Sequence, residues 1–218
     1  MVSKLKKFAK EKLPHAIPIV QSAVISIKHR GSRQKIRRLL KEGSDICINV
    51  GAGDIKGQGG WITIDIAKNC DIFWDLRKGL PFPDESVNKV YSSHFFEHLS
   101  FKETQGFLLE CKRVLVSGGK FSICVPNTKL FLDAYMSGNS LDPIEFLSYK
   151  PAYNQTTKID YLNYIAYMDG EHKYMFDEEN LLYILESKGF KNVHLRQFDP
   201  SIDQLARDSI SIYAEAEK

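Results

Sequence analysis

The 218-residue sequence is poor in cysteine and in long apolar runs, and it lacks a full dinucleotide-type glycine pattern. Its four cysteines, Cys47, Cys70, Cys111 and Cys124, fall at no disulfide or metal-ligand spacing, and two lie inside apolar, strand-like runs. That excludes a disulfide scaffold and a cysteine zinc ribbon, and predicts reduced core thiols in a reducing cytoplasm. The apolar stretch Ala16–Ile27 is too short to span a bilayer and contains Pro18. His29-Arg30 follows it where a signal peptide would need a small-residue cleavage site. Internal repeats and low-complexity segments are absent too. What is left is the composition of a globular protein, 43% hydrophobic and 26% charged, long enough for one domain with a sizeable core.

The formal net charge of +3 conceals an asymmetry. Residues 1–42 hold twelve Lys/Arg against two acids, and the remainder holds 18 against 25. The basic part divides off as an N-terminal extension, residues 1–42, expected to be helical and packed on the domain that follows, 43–218. An arm for anionic membrane surfaces, or a nucleic-acid contact, would use the same charges.

From Asp45 onward strands and helices alternate. Ile46–Val50, Ile62–Asp65, Cys70–Leu76, Val87–Ser93 and Lys120–Asn127 read as strands, with two more at 192–198 and 209–218. Ser100 and Glu103 form a capping box ahead of Phe107, Leu108, Cys111, Val114 and Leu115, the apolar face of a helix that Gly118-Gly119 should stop. Asp177 is placed to cap another helix, ended by Gly189. This pattern predicts an α/β Rossmann-like fold, a seven-stranded, mainly parallel sheet with the last strand antiparallel. Residues 128–175 break the rhythm and read as a cap or acceptor insertion. Tyr135, Tyr153, Tyr161, Tyr164 and Tyr167 are its candidate aromatic walls, although packing alone accounts for most of them.

One connection is unusual. Between Val50 and Ile62 there is no room for a crossover helix, because five of the residues are glycines, each costing about 1 kcal/mol inside a helix. A pyrophosphate needs that helix N-terminus; an adenosine ligand without phosphate loses far less by its absence. S-adenosylmethionine is such a ligand. Gly51 and Gly53 would let the backbone approach it, Asp65 would take its ribose hydroxyls, and Asp75 its adenine amino group.

The run "INVGAGD…GWITIDI…DIFWDLRKGLPFPDESVNKVYSSHFFEHL…CKRVLVSGGKFSICVPN" resembles the class I S-adenosylmethionine-dependent methyltransferases, in particular a small bacterial type-11-like group. The resemblance covers residues 44–127, and "HKYMFDEENLLYILESKGFKNV" extends it to 172–193. It implies S-adenosylmethionine as cofactor, held by Asn49, Gly51, Gly53, Asp65, Ile66, Asp75, Leu76, Ser93 and His94. Asn49 departs from the family, many of whose members carry an acid there. Methyltransferases of this look are associated with polysaccharide biosynthesis at bacterial cell surfaces. That would make the acceptor a polar small molecule or glycan, with peripheral binding at the inner membrane face through residues 1–42.

"HFFEH", His94–His98, has a second reading as the H-x-x-E-H pattern of inverted zinc peptidases, with His172 or a downstream Glu as third ligand. The methyltransferase resemblance already accounts for it, so no metal is expected. Candidate catalytic bases are His94 and His172, with Glu97 as a third. Rival functions are an RNA methyltransferase, a non-catalytic binding module and a zinc hydrolase.

Overall fold

A computed structural model of the chain describes residues 17–137 and 157–218. The Lys-rich start, residues 1–16, and the segment 138–156 with Tyr153 lie outside the described residues.

Seven strands form one sheet: β1 (Cys47–Val50), β2 (Trp61–Asp65), β3 (Ile72–Phe73), β4 (Val87–Ser93), β5 (Leu115–Pro126), β6 (Lys191–Leu195) and β7 (Ser211–Glu217), in the order β3-β2-β1-β4-β5-β7-β6. The pairs β3/β2, β2/β1, β1/β4 and β4/β5 are parallel, and β7 runs antiparallel to both β5 and β6. This is the expected α/β architecture. Strand order reverses at β1/β4, so a crevice opens beyond the carboxyl ends of those two strands, where ligands of such folds bind.

The first crossover has no helix, as the glycines predict, and the link from β2 to β3 has none either. Returning alongside a short strand needs little chain. β1 is about 13 Å long at ~3.3 Å per residue, and the ten residues between Val50 and Trp61 can reach over twice that when extended. The uncovered side is closed instead by helix α1 (Ile17–Glu42), which lies along β3. Ser32 Oγ donates to the Phe73 carbonyl at 3.0 Å, Lys35 pairs with Asp71 at 2.8 Å, and Ile36 is buried in the core. His29 stands edge-on to Phe73 and Trp74. The basic extension is thus part of the domain's packing from His29 onward.

Helix α2 (Phe101–Val114) begins at the expected capping box: Glu103 N–H donates to Ser100 Oγ, and Glu103 Oε2 accepts from Ser100 N–H. Its buried face is Thr104, Phe107, Leu108, Cys111 and Val114. Gly118-Gly119 does not end it. The chain passes directly into β5 at Leu115, and the two glycines lie within the strand, where the pairing with β4 slips between Val87 and Lys89. Gly118 supplies a left-handed φ of +73° there, and a Cβ at Gly119 would press on the Val116 and Asn88 carbonyls at 2.9 and 3.1 Å. Helices α3 (Thr128–Ser137) and α4 (Lys158–Tyr167) pack on each other through Phe131, Tyr164 and Ile165, a small core apart from the main one. They form the described part of the cap. Helix α5 (Glu178–Ser187) starts at Asp177, whose carboxylate accepts from Asn180 N–H. At its end Lys112 donates to the carbonyls of Lys188 and Gly189. All four cysteines are free thiols.

Candidate functional site

The crevice at β1/β4 is a cleft of about 450 Å³. It brings together Asn49, Gly51, Gly53, Asp65, Ile66, Ser93 and His94 from three strand ends, as the sequence predicts. Gly51 N–H donates to the Ile64 carbonyl, and Gly53 N–H to Asp65 Oδ2 at 2.9 Å. Asp65 Oδ1 accepts from Ala67 N–H, so this carboxylate holds both turns and still presents lone pairs to the cleft. Asn49 Oδ1 is buried without a hydrogen-bond partner, an acceptor suited to a ligand's ammonium.

The two glycines do different work. A Cβ at Gly51 would stand 2.2 Å from Cγ of Phe95, so the missing side chain makes room for that ring more than for a ligand. Gly53 faces open space.

Asp75 and Leu76 are not in the cleft lining. Asp75 caps a short 3-10 turn and binds Arg77 through both oxygens, at 2.9 Å each. Leu76 turns into the core. The local cap and ion pair take the carboxylate that the sequence offers to an adenine.

After β4 the chain turns sharply. His94 has φ +49°, a left-handed conformation rare for a non-glycine residue and common at functional sites. Phe96–His98 then forms a 3-10 turn, so His94 and His98 do not share an α-helical face and the peptidase geometry is not formed. Instead His94 Nε2 bonds to Ser211 Oγ at 2.8 Å. Ser211 donates its own proton to the Arg207 carbonyl, which makes Nε2 the protonated nitrogen and leaves the Nδ1 lone pair 3.6 Å from Glu97 Oε1.

A second cavity, about 270 Å³, adjoins the first; His94, His98 and Arg207 line both. Glu97, Pro126, Tyr164, Ile165, Met168, His172 and Ile210 complete it, so the cap forms one wall. Both candidate bases, His94 and His172, stand here. Tyr164 is the one of the described cap tyrosines in this lining; Tyr135 and Tyr167 are exposed. Burial, followed by the charges of Arg207, His172 and His98, pushes the His94 pKa down to about 3. His172 is lowered too, chiefly by burial. Burial raises Glu97 to about 8, against smaller opposing effects of its own backbone and of Arg207. Low dielectric thus leaves the three groups uncharged around neutral pH.

Sequence reasoning missed Arg207, Glu171 and Asp71. Arg207 and Glu171 reach the cleft from links distant in sequence, and no local pattern marks them. Asp71 had one signal, a lone acid at the head of an apolar strand. Its Oδ2 accepts from Gly57 N–H, Thr63 N–H and Thr63 Oγ1, and its Oδ1 from Lys35, tying the glycine loop, β2 and α1 together.

Residues 72–123 match a family model described as a methyltransferase domain. No curated protein matches the chain. Among solved structures, an S-adenosylmethionine-dependent methyltransferase of Thermotoga maritima is similar over 100% of both chains, at 14% identity and TM-score 0.50. Another such enzyme, from Archaeoglobus fulgidus, is similar over 90% of this chain and 99% of its own, at 19% identity and TM-score 0.49. At these identities the likeness is one of fold.

Proposed function

We propose that the chain is an S-adenosylmethionine-dependent methyltransferase, a reading supported by the domain match over residues 72–123 and by the likeness of fold, and that it transfers the methyl group to a hydroxyl of a polar small molecule or glycan. The observation that carries this reading is the pair of adjoining cavities. The first suits the donor: Asn49 Oδ1 for the ammonium, Asp65 for the ribose hydroxyls, and Ile66, Ser93 and His94 beside them. The second suits the acceptor, lined by imidazoles, a carboxyl, Tyr164 and Arg207. His94, on the boundary, keeps a bare Nδ1 for an acceptor proton, although its low pKa makes it a weak base. Holding donor and acceptor in line accounts for most of the rate advantage of such a displacement.

Calorimetric titration with S-adenosylmethionine tests the donor half. Asp65→Ala should bind at least ~10-fold more weakly than the wild type, by loss of charge-assisted hydrogen bonds; equal affinity would refute the assignment.

The polysaccharide role and the inner membrane face draw support from α1. Arg30, Arg33 and Arg37 share one side of it and line, with Lys78 and Trp74, an open cleft of about 630 Å³. That cleft suits a phosphate-bearing lipid headgroup. Among the described residues no helix is long and apolar enough to cross a membrane. Reversing all three arginines to Glu should abolish sedimentation with anionic vesicles; retention of binding, or a preference for RNA over vesicles, would sink this part.

A further inference from the structure

We propose that Glu97, His98 and His172 form a divalent-metal site in the second cavity, taking a first-row transition cation through two imidazole nitrogens and one carboxylate. One donor atom from each of the three residues lies within 4.8 Å of the others. Ligands of a common ion stand roughly 3 Å apart, given bonds of ~2.0–2.2 Å. Closing the site therefore draws the donor atoms together by up to about 2 Å.

Two independent features point to a ligand. The first is the orientation of the imidazoles. His98 Nδ1 lies 3.0 Å from the Glu171 carbonyl, and His172 Nδ1 lies 2.8 Å from the Ile165 carbonyl. A carbonyl only accepts, so each Nδ1 carries the proton and each Nε2 keeps its lone pair. This outer hydrogen bond is what fixes metal-ligating histidines in metalloproteins generally. The two rings meet edge to face, centroids 5.1 Å apart. The second is Glu97 itself, 2% exposed, with Oε2 lacking any hydrogen-bond partner. Its other oxygen comes no closer than 3.6 Å to His94 Nδ1 and 4.0 Å to His98 Nε2, too far for hydrogen bonds. A buried carboxyl oxygen with no partner is costly to fold around, and a cation between it and two bare Nε2 atoms satisfies all three.

The donor set selects the ion. Two imidazoles and one carboxylate suit manganese, iron, cobalt, nickel or zinc, whereas magnesium and calcium prefer oxygen alone. Three protein ligands leave positions open toward the cavity. Arg207, on the same lining, opposes a cation, so micromolar rather than nanomolar affinity is expected.

On the methyl-transfer reading of this site, the acceptor hydroxyl would occupy an open position. Its O–H bond would break, the proton passing to His94 Nδ1 and from there to solvent water. The oxygen then bonds to the methyl carbon as the sulfur–methyl bond breaks, its electron pair remaining on sulfur, so the sulfonium becomes a neutral thioether.

The test uses tag-free, chelator-stripped protein titrated with Mn²⁺, Zn²⁺ or Co²⁺ by calorimetry. Co²⁺ absorption serves as a second readout, and S-adenosylmethionine affinity is measured on the same samples. The wild type should take one equivalent. His172→Ala and Glu97→Gln should each weaken metal binding at least 30-fold, while His172→Ala binds S-adenosylmethionine within threefold of the wild type. Should His172→Ala fail to fold, Glu97→Gln alone decides. No uptake by the wild type at 1 mM metal, or unchanged uptake in Glu97→Gln, would overturn the site and leave the donor assignment intact. Metal uptake without any S-adenosylmethionine binding would overturn the methyl-transfer reading instead.

Discussion

Asp71 is the residue on which the helix-free half of the sheet depends, and replacing it with Asn tests that dependence. Burial alone would raise its pKa. Lys35 and the N–H groups of Thr63 and Gly57 outweigh burial and hold it at about 2, against an ordinary 3.8. That difference corresponds to roughly 2 kcal/mol. The side chain is only 10% exposed, so solvent screening removes little, and about 2 kcal/mol is a fair expectation. Asparagine would keep one acceptor toward Gly57 and Thr63 but turn its amide N–H groups on the Lys35 ammonium. For a chain of this size the loss lowers Tm by ~4–8 °C at pH 7. The sign with pH follows from the depressed carboxylate. The wild type's advantage is complete above pH ~3.8 and disappears as pH falls toward about 2. Thermal denaturation of both proteins across pH 2–7 measures it. A Tm difference under about 1 °C at pH 7, or one that persists undiminished near pH 2, would refute the account.

Gly51→Ala should cost about 2–4 kcal/mol, combining a left-handed backbone with displacement of Phe95, whereas Gly53→Ala should cost about 1 kcal/mol for the backbone alone; chemical denaturation giving equal losses would contradict the packing described. In chelator-treated protein, Glu97→Gln should gain on the wild type as pH rises. A carboxyl whose pKa is raised from 4.5 to about 8 gives stability that is complete below pH 4.5 and lost on the way to about pH 8. A stability difference that stays flat over that range would mean Glu97 is not buried in its neutral form.

Much of the site was readable because its parts are local. Most of the sequence-predicted lining of the β1/β4 cleft comes from strand ends in one continuous stretch, Asn49 to His94, where apolar runs mark the strands and glycines mark the missing helix. The capping box at Ser100 and the cap at Asp177 follow from side chains reaching backbone N–H groups three residues away. Gly118-Gly119 misled, since a glycine pair marks left-handed backbone without saying whether a helix end or a strand irregularity needs it. Asp75 departs from the expectation in place: it lies outside the cleft lining, and its carboxylate is bound by Arg77 two residues on. The pattern "HFFEH" named residues of a polar cluster without giving its geometry, because Phe96–His98 turns as a 3-10 segment and His94 Nε2 is bonded to Ser211.

The sequence by itself determined the alternation of strands and helices, the absent first crossover helix, and with these a parallel sheet whose crevice suits an adenosine ligand without phosphate. Periodicity, glycine content and capping are short-range properties, and each is written in neighbouring residues. Only the tertiary structure decided that α1 covers the side left open, that Asp71 binds it there, and that Glu97 and His98 meet His172 across the second cavity. Those contacts join residues 36 and about 75 positions apart. Whether such groups meet depends on how the whole sheet stacks and how much water it excludes, and no local pattern records that.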